Sequence, residues 1–296
     1  MIIGITGASG FIGRAMVKEA LRRGHHVVGY SRRPERKVPG CEEMRALRPP
    51  EPADVRGVDV MIHLAGESIM GYWTRKKKRR ILESRVETTR ALVAGFEQAN
   101  RPPRVLLSTS AIGIYGDRGE EVLTETSAIG KTGKEFLTDV GVAWEAEARK
   151  AEQYGSRVVC MRIGFVMGRS GGAMKILRPI FWLGGGGRLG KGNQWMSWIH
   201  LQDVVGMYFQ AMEDSWTGET VNVVGPEPVT NQEFTRILGE KMHRPTIFPA
   251  PAWLLKGMLG EFSHLLLDSQ RVLPAQAEKN GYEFQIATAQ EALTEG

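Results

Sequence analysis

Three glycines at a regular spacing mark the first chemistry in this chain: Thr6-Gly7-Ala8-Ser9-Gly10-Phe11-Ile12-Gly13 joins a short apolar run to a helical stretch. Glycine lets a strand turn sharply into a helix and brings backbone N–H groups close to a phosphate, while the positive end of the helix attracts its charge. In that context the pattern predicts a dinucleotide site formed by Gly7, Ser9, Gly10, Phe11, Ile12 and Gly13, the alternative being a tight turn without a ligand. At the end of the second strand, where a carboxylate would accept hydrogen bonds from an adenosine ribose, stand Ser31-Arg32-Arg33. A carboxylate would repel a 2′-phosphate and an arginine fork matches one, so the expected cofactor is NADP(H); a surface arginine pair is the competing reading.

Proton chemistry is assigned to Ser110, Tyr115 and His200, all near the carboxyl ends of strands. Each has a structural alternative: a strand-end serine bonding the backbone, a packed tyrosine with a satisfied hydroxyl, and a histidine preceding a helix that Asp203 would cap. The glycine-rich stretch 184–192 is expected to form a flap that offers Arg188 and Lys191 to an anionic small-molecule substrate. It nearly matches a triphosphate-binding loop at Gly185, Gly190 and Lys191, but Gly192 replaces the magnesium-binding hydroxyl. Trp144, Trp195 and Trp198 either line an apolar pocket or fill core. Trp195 is counted with the substrate lobe.

These groups need a scaffold, and the alternation of elements supplies one. Strands are expected at 2–6, 26–30, 58–64, 104–110 and 157–163, with crossover helices at 11–23, 78–98 and 134–153 between them. That order predicts an α/β Rossmann-type fold, a doubly wound parallel sheet with a smaller C-terminal substrate lobe. The division expected is 1–225 for the nucleotide-binding domain, with 165–200 contributing to the substrate lobe, and 226–296 for a small, mostly helical C-terminal domain. A strand is expected at 195–199, and Thr230 and Glu233 have the spacing of a capping box opening a helix toward Lys241.

Together with the glycine turn, His63-Leu64-Ala65-Gly66 and the run Ser110 to Gly116 resemble extended short-chain dehydrogenase/reductases. Ser84-Arg85-Val86-Glu87, the 184–192 glycines followed by Gln194 to His200, and Leu267 to Pro274 narrow the resemblance to an atypical branch, the epimerase-family proteins. In that branch an NAD-dependent epimerase/dehydratase-like domain precedes a C-terminal domain of unknown function. The resemblance implies that Ser31 and Arg32 hold the adenosine-phosphate end, that Leu64, Ala65 and Gly66 line the cofactor, and that Arg85 reaches it. Such enzymes use a Tyr-x-x-x-Lys pair, and alignment on Glu145 puts Leu137 and Gly141 in its place. The Tyr72 and Lys76 pair lies in a different segment and is a chance match. An oxidoreductase or epimerase-like enzyme acting on a carbonyl, carbinol or nucleotide-sugar substrate is expected, against a non-catalytic NADPH-binding sensor or partner-binding module.

Bulk properties agree with a single large α/β unit and an appendage: 296 residues, 42% of them hydrophobic. The formal net charge of +6 equals the contribution of Arg75 to Arg80 alone, so the basicity reads as one solvated helix start and no nucleic-acid partner is expected. Cys41 and Cys160 are far apart with no histidine cluster, which predicts neither disulfide nor metal site. No apolar run reaches membrane-spanning length and the chain opens directly on a strand, so a cytoplasmic location without a membrane partner is expected. No subunit interface is singled out.

Overall fold

The computed structural model describes residues 1–168 and 171–294. Its main sheet has seven strands: β1 (Ile2–Thr6), β2 (His26–Ser31), β3 (Glu43–Ala46), β4 (Val60–His63), β5 (Val105–Ala111), β6 (Arg157–Ile163) and β7 (Thr220–Val223). All pairings are parallel and the spatial order is β7-β6-β5-β4-β1-β2-β3. Chain order reverses between β1 and β4, which opens the crevice where doubly wound sheets bind ligands.

Alternation along the strands explains the two apolar layers. Ile3 and Ile5 of β1, Val105 and Leu107 of β5 and Val159 and Met161 of β6 face the layer to which α1 (Phe11–Arg22) contributes Met16 and Val17. Met61, Leu106 and Val158 face the opposite side, where α2 (Arg75–Gln98) contributes Leu92 and Phe96. A third helix, α3 (Phe136–Arg149), packs beside α2 over β5. A separate core joins Met174 and Phe181 of α4 (Met174–Trp182) to Trp198, Phe234, Ile286 and Leu293.

A buried carboxylate ties the C-terminal stretch to the helix that precedes β7. Asp203, in the first turn of α5 (Leu201–Ala211), accepts from the backbone N–H of Gln285 at 2.8 Å and of Ile286 at 3.2 Å, and from the Tyr282 hydroxyl at 2.9 Å. The helix end is capped instead by His200, whose Nδ1 accepts from the Gln202 N–H at 3.4 Å. The expectation that Asp203 caps this helix is therefore corrected: its carboxylate is committed to the tail. Thr230 does cap α6 (Asn231–Lys241), accepting from the Glu233 N–H at 3.2 Å.

Other boundaries shift for identifiable reasons. The single strand expected at 195–199 is two short ones, Trp195–Met196 and Trp198–His200, pairing with different partners. The break falls at Ser197, whose Oγ donates to the Gln270 carbonyl at 2.7 Å and accepts from the Val272 N–H at 2.8 Å. The third crossover helix ends at Arg149 and tightens into a 3₁₀ turn, Lys150–Tyr154, closed by left-handed Gly155. α2 begins earlier than expected, so the basic run lies within it, capped by Thr74. The C-terminal stretch contains α7 (Ala252–Leu259), further short helices, and a strand, Arg271–Val272, that pairs with Val122–Leu123.

Candidate cofactor and active site

At the mouth of the crevice the glycine turn leaves no room for side chains. A Cβ on Gly13 would lie 2.2 Å from the Gly7 carbonyl oxygen, and Gly7 itself adopts φ +68°. No side chain caps the first turn of α1 and no carboxylate lies in it, so its positive end is available to an anion. Phe11, at the start of that helix, is clasped by Gly168, Gly171 and Gly172, where any Cβ would touch its ring. Ser9 and Gly10 are exposed at the turn, while Ile12 is half-buried and packs on the sheet core.

Facing the glycines is the segment after β4, and a buried hydrogen-bond chain holds it. The Thr6 Oγ1 accepts from the Leu64 N–H at 2.9 Å and the Ala65 N–H at 3.0 Å, leaving its proton to the His63 Nδ1 at 2.8 Å. On the far side of the ring, His63 Nε2 is 3.0 Å from Thr89 Oγ1, whose proton goes to the Arg85 carbonyl at 2.6 Å. The network thus requires the Nε2–H tautomer. Complete burial and the nearby Arg85 charge hold the imidazole down to about 4, so it stays neutral.

Arg85 arrives from α2. Its Nη1 donates to the carbonyls of Glu67 at 3.0 Å and Ile81 at 3.1 Å, and its guanidinium lies 5.0 Å from the Trp144 ring centre. A Cβ on Gly66 would meet that guanidinium at 3.2 Å, so glycine is what lets the cation reach the crevice. Burial lowers its pKa to about 10, which leaves it charged at neutral pH. At the opposite end, Ser31 accepts from the Arg33 N–H at 3.1 Å, and Arg32 and Arg33 are exposed. Sequence reasoning missed Arg48: its Nε donates to the Arg32 carbonyl at 3.0 Å, bringing a third guanidinium to this corner from the segment after β3.

The three candidates for proton chemistry have different surroundings. Ser110 is buried on β5 and its hydroxyl has no hydrogen-bond partner among the described residues; the same holds for Ser108 on the same strand and for Trp144 Nε1. Ser108 lies opposite His63 in register, and Trp144 meets the His63 ring edge-on at 6.4 Å, so these groups belong to one polar floor under α3. Tyr115, by contrast, is fully buried with a committed hydroxyl. It accepts from Arg162 Nη1 at 2.9 Å and donates to Asn222 Oδ1 at 2.8 Å, and Arg162 forms a two-bond ion pair with Glu145 at 2.8 Å. That network gives Tyr115 a structural task. His200 is buried at the cap of α5. Leu137 packs on Gly113, and a Cβ on Gly141 would lie 2.9 Å from Ile114, so the places of a Tyr/Lys pair are filled by close apolar contact.

Beyond the carboxyl end of β5 is a cavity of about 340 Å³, lined among others by Asp117, Glu120, Lys191, Gln194, Lys256 and Ser269. Its carboxylates are already engaged: Asp117 accepts from the Ser269 N–H at 3.0 Å, and Glu120 from Trp195 Nε1 at 2.7 Å. Trp195 is further stacked under Arg271, 4.2 Å from its ring centre. Lys191 and Lys256 have no carboxylate partner among the described residues, and neither has Arg188 in the glycine-rich stretch 184–192. The uncommitted charge of the cavity is positive.

Comparison with known proteins follows the same lines. Residues 3–224 match the NAD dependent epimerase/dehydratase family and residues 250–295 match a domain of unknown function, DUF1731. The chain is 34% identical over 299 residues to epimerase family protein YfhF of Bacillus subtilis, covering 100% of this chain and 97% of that protein. It is 34% identical to the chloroplastic epimerase family protein SDR39U1 homolog of Arabidopsis thaliana, covering 99% and 86%. Among solved structures, human epimerase family protein SDR39U1 (isoform 2) with NADPH superposes with a TM-score of 0.90 at 30% identity, covering 100% of this chain and 98% of that one.

Proposed function

Because the chain belongs to the NAD dependent epimerase/dehydratase family, we propose that it binds NADP(H) and is an oxidoreductase or epimerase-like enzyme for a small anionic substrate bearing a carbonyl or carbinol carbon, nucleotide sugars included. The observation that carries the cofactor assignment is the uncapped, carboxylate-free start of α1 combined with Arg32 and Arg33 at the end of β2, where an NAD site would hold a carboxylate. The NADPH in the human relative's structure supports it. Bound there, the cofactor supplies or accepts a hydride. Gly7, Gly10 and Gly13 would admit the pyrophosphate, Arg32 would hold the 2′-phosphate, and Leu64, Ala65 and Arg85 would line the bound cofactor. The free Ser110 hydroxyl is the group offered to the substrate oxygen, and Lys191 and Lys256 receive its anionic part.

Calorimetric titration with NADPH and NADH, on wild type and Arg32→Ala, tests the cofactor half. Loss of a charge-assisted contact worth about 2 kcal/mol predicts roughly a thirtyfold weakening toward NADPH and little change toward NADH. Equal affinity of the wild type for both nucleotides would sink the phosphate assignment. Screening NADPH oxidation over pooled carbonyl compounds, with Ser110→Ala as control, tests the enzyme half. A second reading, an NADPH-binding sensor without turnover, is favoured by Leu137 and Gly141 standing where a Tyr/Lys pair would be; tight binding with silence in every pool would select it.

A further inference from the structure

We infer that the face formed by α4, the 245–250 segment and α7 docks on an anionic phospholipid surface. Nine of the fifteen large hydrophobic side chains exposed among the described residues lie here: Ile176, Ile180, Trp182, Leu183, Ile247, Phe248, Trp253, Leu254 and Met258. Phe248 is 77% exposed, Leu183 77% and Trp253 75%, values far from those of side chains that merely rim a core. Moreover, α7 is strongly apolar and yet has no buried residue. The segments are contiguous. Arg244 Nε donates to the Trp182 carbonyl at 2.8 Å, and the Gly190 N–H to the Ala250 carbonyl at 2.8 Å; Arg188 accepts in return from the Ala250 N–H at 2.9 Å.

Charge selects the occupant. Residues 171–194 and 241–260 contain Lys175, Arg178, Arg188, Lys191, Lys241, Arg244 and Lys256, and not one Asp or Glu. None of these cations has a carboxylate partner among the described residues; Lys191 and Lys256 line the cavity, and the other five, without which the chain's formal +6 becomes +1, are left to this face. The basic run of α2 is different: Lys77 and Arg80 pair with Glu67 at 3.0 and 2.8 Å, and Lys78 with Glu261 at 2.6 Å. A second copy meeting this face about a two-fold axis would set five cations without carboxylate partners against five more. Indole and aliphatic side chains among lysines and arginines instead suit the headgroup boundary of an anionic bilayer. This departs from the expectation of no membrane partner. No helix among the described residues is long and apolar enough to cross a membrane, and surface docking requires none.

The test is co-sedimentation of the full chain with vesicles of phosphatidylcholine alone and with about one third phosphatidylglycerol. Binding to the anionic vesicles only, weakened by salt and accompanied by a blue shift of tryptophan emission, is the expected result. Lys175→Glu with Lys241→Glu should weaken it by well over tenfold, since each juxtamembrane cation contributes about fivefold. Trp182→Ser with Trp253→Ser should abolish both binding and blue shift while the circular dichroism and melting temperature stay at wild-type values. The inference is overturned by equal sedimentation with neutral and anionic vesicles. It is also overturned by absence of binding to either, or by a dimer in size-exclusion chromatography that the tryptophan variants dissociate while vesicle binding is nil.

Discussion

His63 shows how much of the site is decided by single side chains that do no chemistry. Its ordinary pKa of 6.5 falls to about 4 in the folded chain, because burial and Arg85 both disfavour the imidazolium. The folded state therefore resists a proton that the unfolded chain accepts. Stability from this source is complete above about pH 6.5 and drains away as pH falls toward 4, amounting to about 3 kcal/mol. Urea unfolding at about pH 7 and about pH 4.5 should show that loss in wild type and a smaller one in His63→Gln. Identical pH dependence in both proteins would refute the assignment. Gly13→Ala sets a different single-residue test: its Cβ would stand 2.2 Å from the Gly7 carbonyl, and relieving such overpacking costs about 1–3 kcal/mol. NADPH affinity should collapse along with the melting temperature, and a variant with wild-type affinity would show the turn to be looser than described.

Between elements, the decisive contacts are polar and long in sequence. Arg162 of β6 and Glu145 of α3 are joined inside the protein, with Tyr115 and Asn222 completing the group. Breaking a buried pair by removing one partner strands the other charge, so Arg162→Met should cost about 3–5 kcal/mol, and adding Glu145→Leu should restore much of it. Additive losses in chemical unfolding would contradict a coupled pair. The sequence could not reveal this network, since Arg162 lies 47 residues from Tyr115 and Asn222 lies 107 residues from it. It did reveal α1 and its strands, because glycine spacing and apolar periodicity are local signals. β3 escaped for the opposite reason: Glu-Met-Arg-Ala has no apolar alternation and takes its strand identity from pairing with β2 at the sheet edge. Arg48 was hidden with it.

For the whole molecule, one joint between α5 and the tail is the Asp203 carboxylate. Asp203→Ala would leave the Gln285 and Ile286 N–H groups without their acceptor, a loss of about 1–3 kcal/mol for each unsatisfied buried group. The tail should then open before the sheet does. Limited proteolysis followed by mass spectrometry should find cuts within 280–294 that are slow in wild type and fast in the variant. Equal rates would show that the core of Phe234, Ile286 and Leu293 holds the tail by itself. The task of Asp203 was not legible in the sequence, because a buried aspartate at a helix start looks the same there as a cap.

That joint also imposes an order in time. A ribosome makes the glycine turn and the first five strands of the sheet long before the partners of Asp203, which follow it by 79 to 83 residues. Until they emerge, a carboxylate destined for burial is exposed to water and the α5 face that will receive the tail is uncovered. The nucleotide crevice between β1 and β4 has by then acquired both its walls. Closure of the tail over α5 can therefore come only after the strands that flank the crevice have been made.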